Sequence, residues 1–304
     1  MKILTIIGGS GFIGKSYIDG FQRNIISNLK IKKINIICRK AKNLKANKLL
    51  KFKNIRIIKG DIRFLKKIPK SDLVVYAAET SKIKDFNNKV KITKDHKNAI
   101  DNFCKIIENN KKAKILYVSS GVVYGPKLKH KKSDYYKNIY SSLKVYSENR
   151  IKQLSKFGMK TTIARCFTFV GFWLPKNQHY AIGNFIRDGL TKKIINVKTK
   201  KNLIRSYMYA DDLIYWLTKI ALNANLKCPV YNVGSNKAVN IYSIARLIGK
   251  IMNKPVKFSK SNIKKIDKYV PNINKAKKKL KLKINYDLKE SINLSINGSY
   301  EKAN

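Results

Sequence analysis

The chain has 304 residues, 44% hydrophobic and 28% charged, and its 67 basic and 17 acidic residues give a net charge of +50. An apolar fraction this close to the globular average excludes disordered, collagenous, coiled-coil and disulfide-scaffold classes. No apolar run reaches the ~20 residues that span a bilayer, and residues 1–7 run into Gly8 and Gly9 before a signal-peptide core could form, so a cytoplasmic protein is expected.

Taken in order, residues 2–7 are a short apolar run and predict the first strand. The motif Gly8-Gly9-Ser10-Gly11-Phe12-Ile13-Gly14 follows and opens an amphipathic stretch over 12–29. Glycines in a strand-to-helix turn let the backbone approach a pyrophosphate, and the amides at the helix start hold its oxygens. The next strand, 34–38, ends in Cys38-Arg39-Lys40 with no carboxylate. NAD sites commonly place an acid there for the ribose 2′-hydroxyl, whereas an Arg suits a 2′-phosphate, so Arg39 tilts the expectation from NAD toward NADP. The strand at 55–58 leads to Asp61-Ile62, where Asp61 either meets the adenine or caps a helix. A strand at 73–78 ends in Ala77-Ala78; a helix is predicted around 98–109 and a strand at 115–119.

That strand runs into Ser119-Ser120-Gly121-Val122-Val123-Tyr124-Gly125, and a helix predicted over 138–157 carries Tyr140-Ser141-Ser142-Leu143-Lys144. Positions i and i+4 share a helix face. An ammonium there can lower the pKa of a phenol, ordinarily ~10, and fit it for acid/base work. Ser120, at a strand's C-terminal end, faces the cofactor crevice of an open α/β sheet. A strand at 161–166 follows, then helices at 181–190, 210–223, 241–252 and 288–295, with short strands at 194–197 and 230–233. Short apolar strands alternating with helices predict an α/β fold, a Rossmann-type doubly wound parallel sheet. Residues 1–166 would bind the dinucleotide, with segments near 203–235 returning to them, and 167–304 would mainly bind substrate. The Lys-rich stretch 259–283 gives no clear pattern.

Composition supplies further limits. Lysines number 58 and arginines nine, spread along the chain. A nucleic-acid site would cluster its charge and use more Arg. The excess is expected to reflect an AT-rich genome, and neither nucleic-acid nor membrane binding is expected. Cys38, Cys104, Cys166 and Cys228 lie more than sixty residues apart, and His96, His130 and His179 lack ligand spacing. Neither a metal site nor a disulfide is expected.

Together the glycine motif, Ala77-Ala78, the Ser-Ser-Gly-Val-Val-Tyr-Gly block and YxxxK followed by Glu148 resemble the extended short-chain dehydrogenase/reductase family. More narrowly, they are similar to its NAD(P)-dependent nucleotide-sugar epimerase/dehydratase branch. The likeness continues through residues 165–171, 204–213 and 231–234 and covers about residues 1–255. It implies Tyr140 as the acid/base, Lys144 as its tuning partner and holder of the nicotinamide ribose, and Ser120 as the hydrogen-bond donor to the same substrate oxygen. It implies cofactor contacts at Gly8, Ser10, Gly11, Phe12, Ile13, Gly14, Arg39, Asp61, Ile62, Ala77 and Ala78, substrate contacts at Thr168, Asn184 and Arg205, and a homodimer through the helices near Asn98 and Tyr140. Arg205 would meet the substrate's diphosphate. The sequence departs from the 4,6-dehydratase pattern, because Gly121 and Val122 stand where Asp and Glu follow the Ser/Thr. Thr168 replaces an Asn, and 198–202 replace a Gly-rich turn. A nucleotide-sugar 4-epimerase or 4-ketoreductase is therefore expected, with a 4,6-dehydratase or a non-catalytic module binding a polyanion as alternatives.

Overall fold

The computed structural model describes residues 2–41, 44, 54–79, 88–125, 138–178, 180–199, 201–259 and 266–298. His130, His179 and Lys200, and part of the Lys-rich stretch, lie outside the described residues. The first half runs β1 (Lys2–Ile7), α1 (Phe12–Gln22), β2 (Ile31–Cys38), β3 (Ile55–Lys59), β4 (Leu73–Tyr76), α2 (Lys89–Ile107), β5 (Lys114–Ser120), α3 (Ile139–Lys156) and β6 (Lys160–Cys166). The second runs β7 (Phe169–Val170), α4 (Ala181–Thr191), β8 (Ile195–Val197), β9 (Asn202–Arg205), β10 (Met208–Tyr209), α5 (Ala210–Leu222), β11 (Val230–Val233), β12 (Val239–Asn240), α6 (Ile241–Met252), β13 (Val256–Phe258), β14 (Ile266–Tyr269), α7 (Asn274–Leu280) and α8 (Leu288–Asn297).

Seven strands form one parallel sheet in the order β11-β6-β5-β4-β1-β2-β3. The strand pleat sends alternate residues to opposite faces, and both faces are buried. Leu4, Ile6, Ile36, Val75 and Leu116 join Tyr17 and Ile18 of α1 and Leu213, Trp216 and Leu217 of α5. Ile7, Ile37, Val74, Ile115 and Ile163 join Ile100, Phe103 and Ile107 of α2 and Ile151 and Leu154 of α3. A third cluster unites α4, α6, α8 and the short strands through Phe185, Ile186, Ile195, Ile244, Ile248 and Ile292. The order reverses between β1 and β4, and ligand crevices of open α/β sheets lie at such a switch point.

Several expected boundaries move, among them the start of β2, which lies at Ile31 and not 34. The amphipathic stretch from residue 12 stops at Gln22, because Asn24 takes a left-handed backbone (φ 62°), and a 3-10 turn at Ser27–Leu29 follows. The helix expected near 98 starts at Lys89, nucleated by the Asn88 side chain accepting from the Lys91 amide; its Lys-rich first turns hide the apolar stripe. The strand at 73 ends at Tyr76, two residues early. Within the Lys-rich stretch, β14 pairs with β9, and α7 buries Ala276 and Leu280 against the main core.

Candidate active site

The glycine motif makes a tight junction. Gly8 has φ +101°, and a Cβ there would lie 2.6 Å from the Ala77 carbonyl oxygen and 2.7 Å from the Ala78 Cα. A Cβ on Gly14 would sit 2.3 Å from the Gly9 Cα. The ends of β1 and β4 and the start of α1 thus touch backbone to backbone, with Ser10 in the turn between Gly9 and Gly11. No side chain caps α1 at Gly11, and no acid occupies its first turn. That leaves its early N–H groups, those of Phe12, Ile13 and Gly14, to meet an anion, so these residues fit a dinucleotide pyrophosphate.

At the ends of β2 and β3, Arg39 is 65% exposed, with its guanidinium 4.0 Å from Asp61. Asp61 itself is committed to Arg63, whose Nε lies at 3.1 Å and whose Nη2 at 2.7 Å, and it also accepts from the Arg63 amide. Those bonds hold its carboxyl below the usual range. Asp61 thus closes a turn and not a helix, with its carboxylate still partly exposed, while Ile62 lies in the core beneath. Arg63 went unnoticed in the sequence; its spacing of two from Asp61 was the only signal.

The catalytic candidates converge at the end of β5. Ser120 lies close enough to Tyr140 to favour its ionised form slightly, but burial, followed by the Glu79 charge, pushes the Tyr140 phenol well up. Lys144, 2% exposed, donates to the Val118 carbonyl at 2.8 Å. Its ammonium lies 5.8 Å from the Tyr140 ring centre and 5.0 Å from that of Tyr117. Ser119 is turned away and donates to Glu148 at 2.7 Å, which in turn grips Arg165. The structure thus brings together Ser120, Tyr140 and Lys144.

It also brings in residues that the sequence did not single out. Glu79 pairs with Lys144 at 2.8 Å. Tyr269, from β14, brings its hydroxyl up to Gly121 beside Ser120, sets its ring 4.6 Å from that of Phe167 and lies below Arg205. Tyr180 is near enough for its charge to act on Tyr140. The signals were faint: a carboxylate directly after Ala77-Ala78, and an aromatic beside Lys268 in the Lys-rich stretch.

Of the residues expected to meet substrate, Thr168 donates to the Ser206 carbonyl. Asn184 donates to the Gln178 carbonyl at 2.8 Å, while its Oδ1 is buried with no partner. Ser206 Oγ and Gln178 Oε1 are likewise buried and unpaired, and groups left this way are costly unless a ligand meets them. Arg205 bonds the carbonyls of Ile204 and Asp267 and both Asp267 carboxylate oxygens, so its free-state role is an ion pair. No group of metal-ligating side chains occurs, and no helix is long and apolar enough to cross a membrane, among the described residues.

A family model described as NAD dependent epimerase/dehydratase matches residues 4–234. A dTDP-D-glucose 4,6-dehydratase of Dictyostelium discoideum is 27% identical over an alignment of 273 residues that covers 81% of this chain and 61% of that protein. This chain therefore spans about three-fifths of that relative's length. Among solved structures, a UDP-N-acetylglucosamine 4-epimerase of Methanobrevibacter ruminantium superposes with a TM-score of 0.77 at 22% identity, covering 97% of each chain. A dTDP-glucose 4,6-dehydratase of Streptomyces venezuelae with NAD bound gives 0.79 at 15% identity, covering 97% of this chain and 95% of that one. At these identities the structural likeness shows the fold, a Rossmann-like α/β architecture.

Proposed function

The chain belongs to the NAD dependent epimerase/dehydratase family, and from that membership we propose that it interconverts the hydroxyl and keto forms of one carbon in a nucleotide-linked sugar, as an epimerase or a 4-ketoreductase. The observation that carries this is the convergence of Ser120 and Tyr140 at the end of β5, with the buried Lys144 ammonium 5.8 Å from the Tyr140 ring centre. A bound nicotinamide would supply or accept the hydride. Ser120 donates to the substrate oxygen. Tyr140 gives that oxygen its proton during reduction and takes it back during oxidation, and the Lys144 charge steadies the phenolate. Gly8, Gly11, Phe12, Ile13 and Gly14 would hold the pyrophosphate. The unpaired Asn184 Oδ1 and Ser206 Oγ are the groups that a sugar or diphosphate would satisfy, and the Arg205 guanidinium would have to exchange Asp267 for phosphate.

Dehydration is the weaker reading. A Cβ at position 121 would lie 2.6 Å from the Phe167 ring and 2.7 Å from the Tyr269 hydroxyl, so an acidic side chain has no room beside Ser120. NAD is the cofactor in the family's description. The NADP preference read from Arg39 gains no support from the comparisons and stays part of this proposal, as does a homodimer through α2 and α3, checked by light scattering.

The test is incubation with NAD or NADPH and a panel of UDP- and dTDP-linked hexoses and 4-keto hexoses, with products identified by NMR and mass. Conversion between 4-epimers, or reduction of the keto sugar, is expected. Loss of water from the sugar would replace this reading with a dehydratase, and no turnover with any substrate would sink it.

A further inference from the structure

Acidic residues are scarce in this chain, 17 against 67 basic ones, yet one of them lies against the Lys144 ammonium. Lys144 Nζ is 2.8 Å from Glu79 Oε1 and 2.8 Å from the Val118 carbonyl, and the two side chains are only 2% and 14% exposed. The Tyr117 hydroxyl donates to the same carboxylate oxygen at 3.1 Å. On the other oxygen's side, His96 Nδ1 stands off at 3.5 Å, while its Nε2 lies 2.7 Å from Ser147 Oγ. Burial pulls that imidazole below its usual range, so it brings no charge at neutral pH. Glu79 and Lys144 therefore form a buried pair of zero net charge, where water and salt screen little. Glu79 directly follows Ala78, whose Cα would lie 2.7 Å from a Cβ on Gly8, and the Lys144 ammonium is 5.8 Å from the Tyr140 ring centre. The pair thus connects the glycine junction to the acid/base residue.

We propose that Glu79 is the counter-charge that lets this pocket hold the oxidised, positively charged nicotinamide, the form an epimerase needs at the start of its cycle. The assignment rests on the function proposed above and chooses within it. The oxidised ring carries one positive charge and the reduced ring none. Beside Lys144 alone, the oxidised ring would meet a like charge at close quarters; the Glu79 carboxylate cancels that repulsion. In an epimerase the sugar carbon gives its hydride to the oxidised ring and its hydroxyl proton to Tyr140, and both return to the sugar to complete the cycle. A 4-ketoreductase starts from the neutral reduced ring, whose binding gains nothing from the carboxylate. Glu79 favours the epimerase of the two.

NAD+ and NADH differ only in that ring, so the ratio of their dissociation constants cancels the contacts to adenine, ribose and pyrophosphate. NADH fluorescence, with NAD+ as competitor, reads the ratio without any sugar. Glu79 also acts on the Tyr140 phenol, so the titrations are made in Tyr140→Phe, where that phenol cannot supply a substitute charge. Adding Glu79→Gln is expected to raise the NAD+/NADH ratio of dissociation constants about tenfold, the scale of one buried charge acting over several ångströms. Adding Lys144→Met is expected to lower it by a similar factor. A purely structural role would weaken both dinucleotides together and would not reverse sign between the two variants. An unchanged ratio in Glu79→Gln, or a shift in the same direction in both, would overturn the proposal. Should Glu79→Gln fail to fold, Lys144→Met decides: a lower ratio supports the counter-charge, and an unchanged or higher one refutes it. Tight binding of both dinucleotides with an unmoved ratio strikes this inference and leaves the proposed function standing. Ratios that move as expected in a protein that turns over no sugar keep the counter-charge and strike the function, and a chain that binds neither dinucleotide overturns both.

Discussion

Tyr140 carries the sharpest chemical expectation. Replacing it with Phe removes one hydroxyl from a buried site and leaves the ring on Lys144, so folding should persist while turnover falls by ~10²–10⁴-fold. A steady-state assay paired with a melting curve separates the two, and a variant that keeps more than about a tenth of the activity would remove Tyr140 from the acid/base role. Arg39 bears on the cofactor. Its guanidinium is exposed and its one described ion pair, to Asp61, is long. Arg39→Ala should weaken NADPH binding by about tenfold and NADH binding by less than about twofold, as expected for a lost charge-assisted bond to phosphate. Equal losses for both, measured by fluorescence titration, would mean that Arg39 does not discriminate between them.

Elements decide what those residues can reach. Gly8 adopts a backbone that other residues find strained, and its Cα faces the Ala77 carbonyl. Gly8→Ala should cost ~1–3 kcal/mol from the backbone alone and separate the β1 and β4 ends. Calorimetry should show lower stability, and a dinucleotide titration little or no binding; intact binding would rule out this junction as the cofactor cradle. The same junction explains what was legible from sequence. Gly8–Gly14, Ser120, Tyr140 and Lys144 sit at strand ends or on one helix face, where local spacing fixes direction. Glu79, Tyr269 and the His96–Ser147 contact come from elements whose meeting depends on the sheet order, and no local pattern encodes a contact between residues 79 and 144. The tail was opaque for another reason: in Asn274–Leu280 four lysines mask two buried apolar positions, Ala276 and Leu280. The Arg205 pairing was hidden too, since Asp267 lies 62 residues away.

For the whole molecule, a net charge of +50 on 304 residues means strong self-repulsion. Raising sodium chloride from about 0.02 to 0.5 M shortens the Debye length from roughly 20 Å to about 4 Å, so the melting temperature should rise with salt; a flat response would mean that counter-ions or partners already neutralise the surface. Alkali should act the opposite way. Burial raises the phenols of Tyr17, Tyr76, Tyr117, Tyr140, Tyr207 and Tyr269. Above pH ~10 the unfolded chain releases tyrosine protons that the folded chain keeps, so these groups leave stability unchanged below that pH and erode it above. Denaturant melts between pH 8 and 11.5 would show this as a steep loss beginning near 10, and a flat curve would contradict the burial of these rings. The sheet order also imposes a timetable on synthesis. Residues through 166 can leave the ribosome and pair six strands, yet the free edge of β6 waits for residues 230–233 and Ser120 waits longer still for Tyr269. A nascent chain stalled between those points would carry an open strand edge, a natural client for a holding chaperone, and the last contact made in the site would also mark the finished protein.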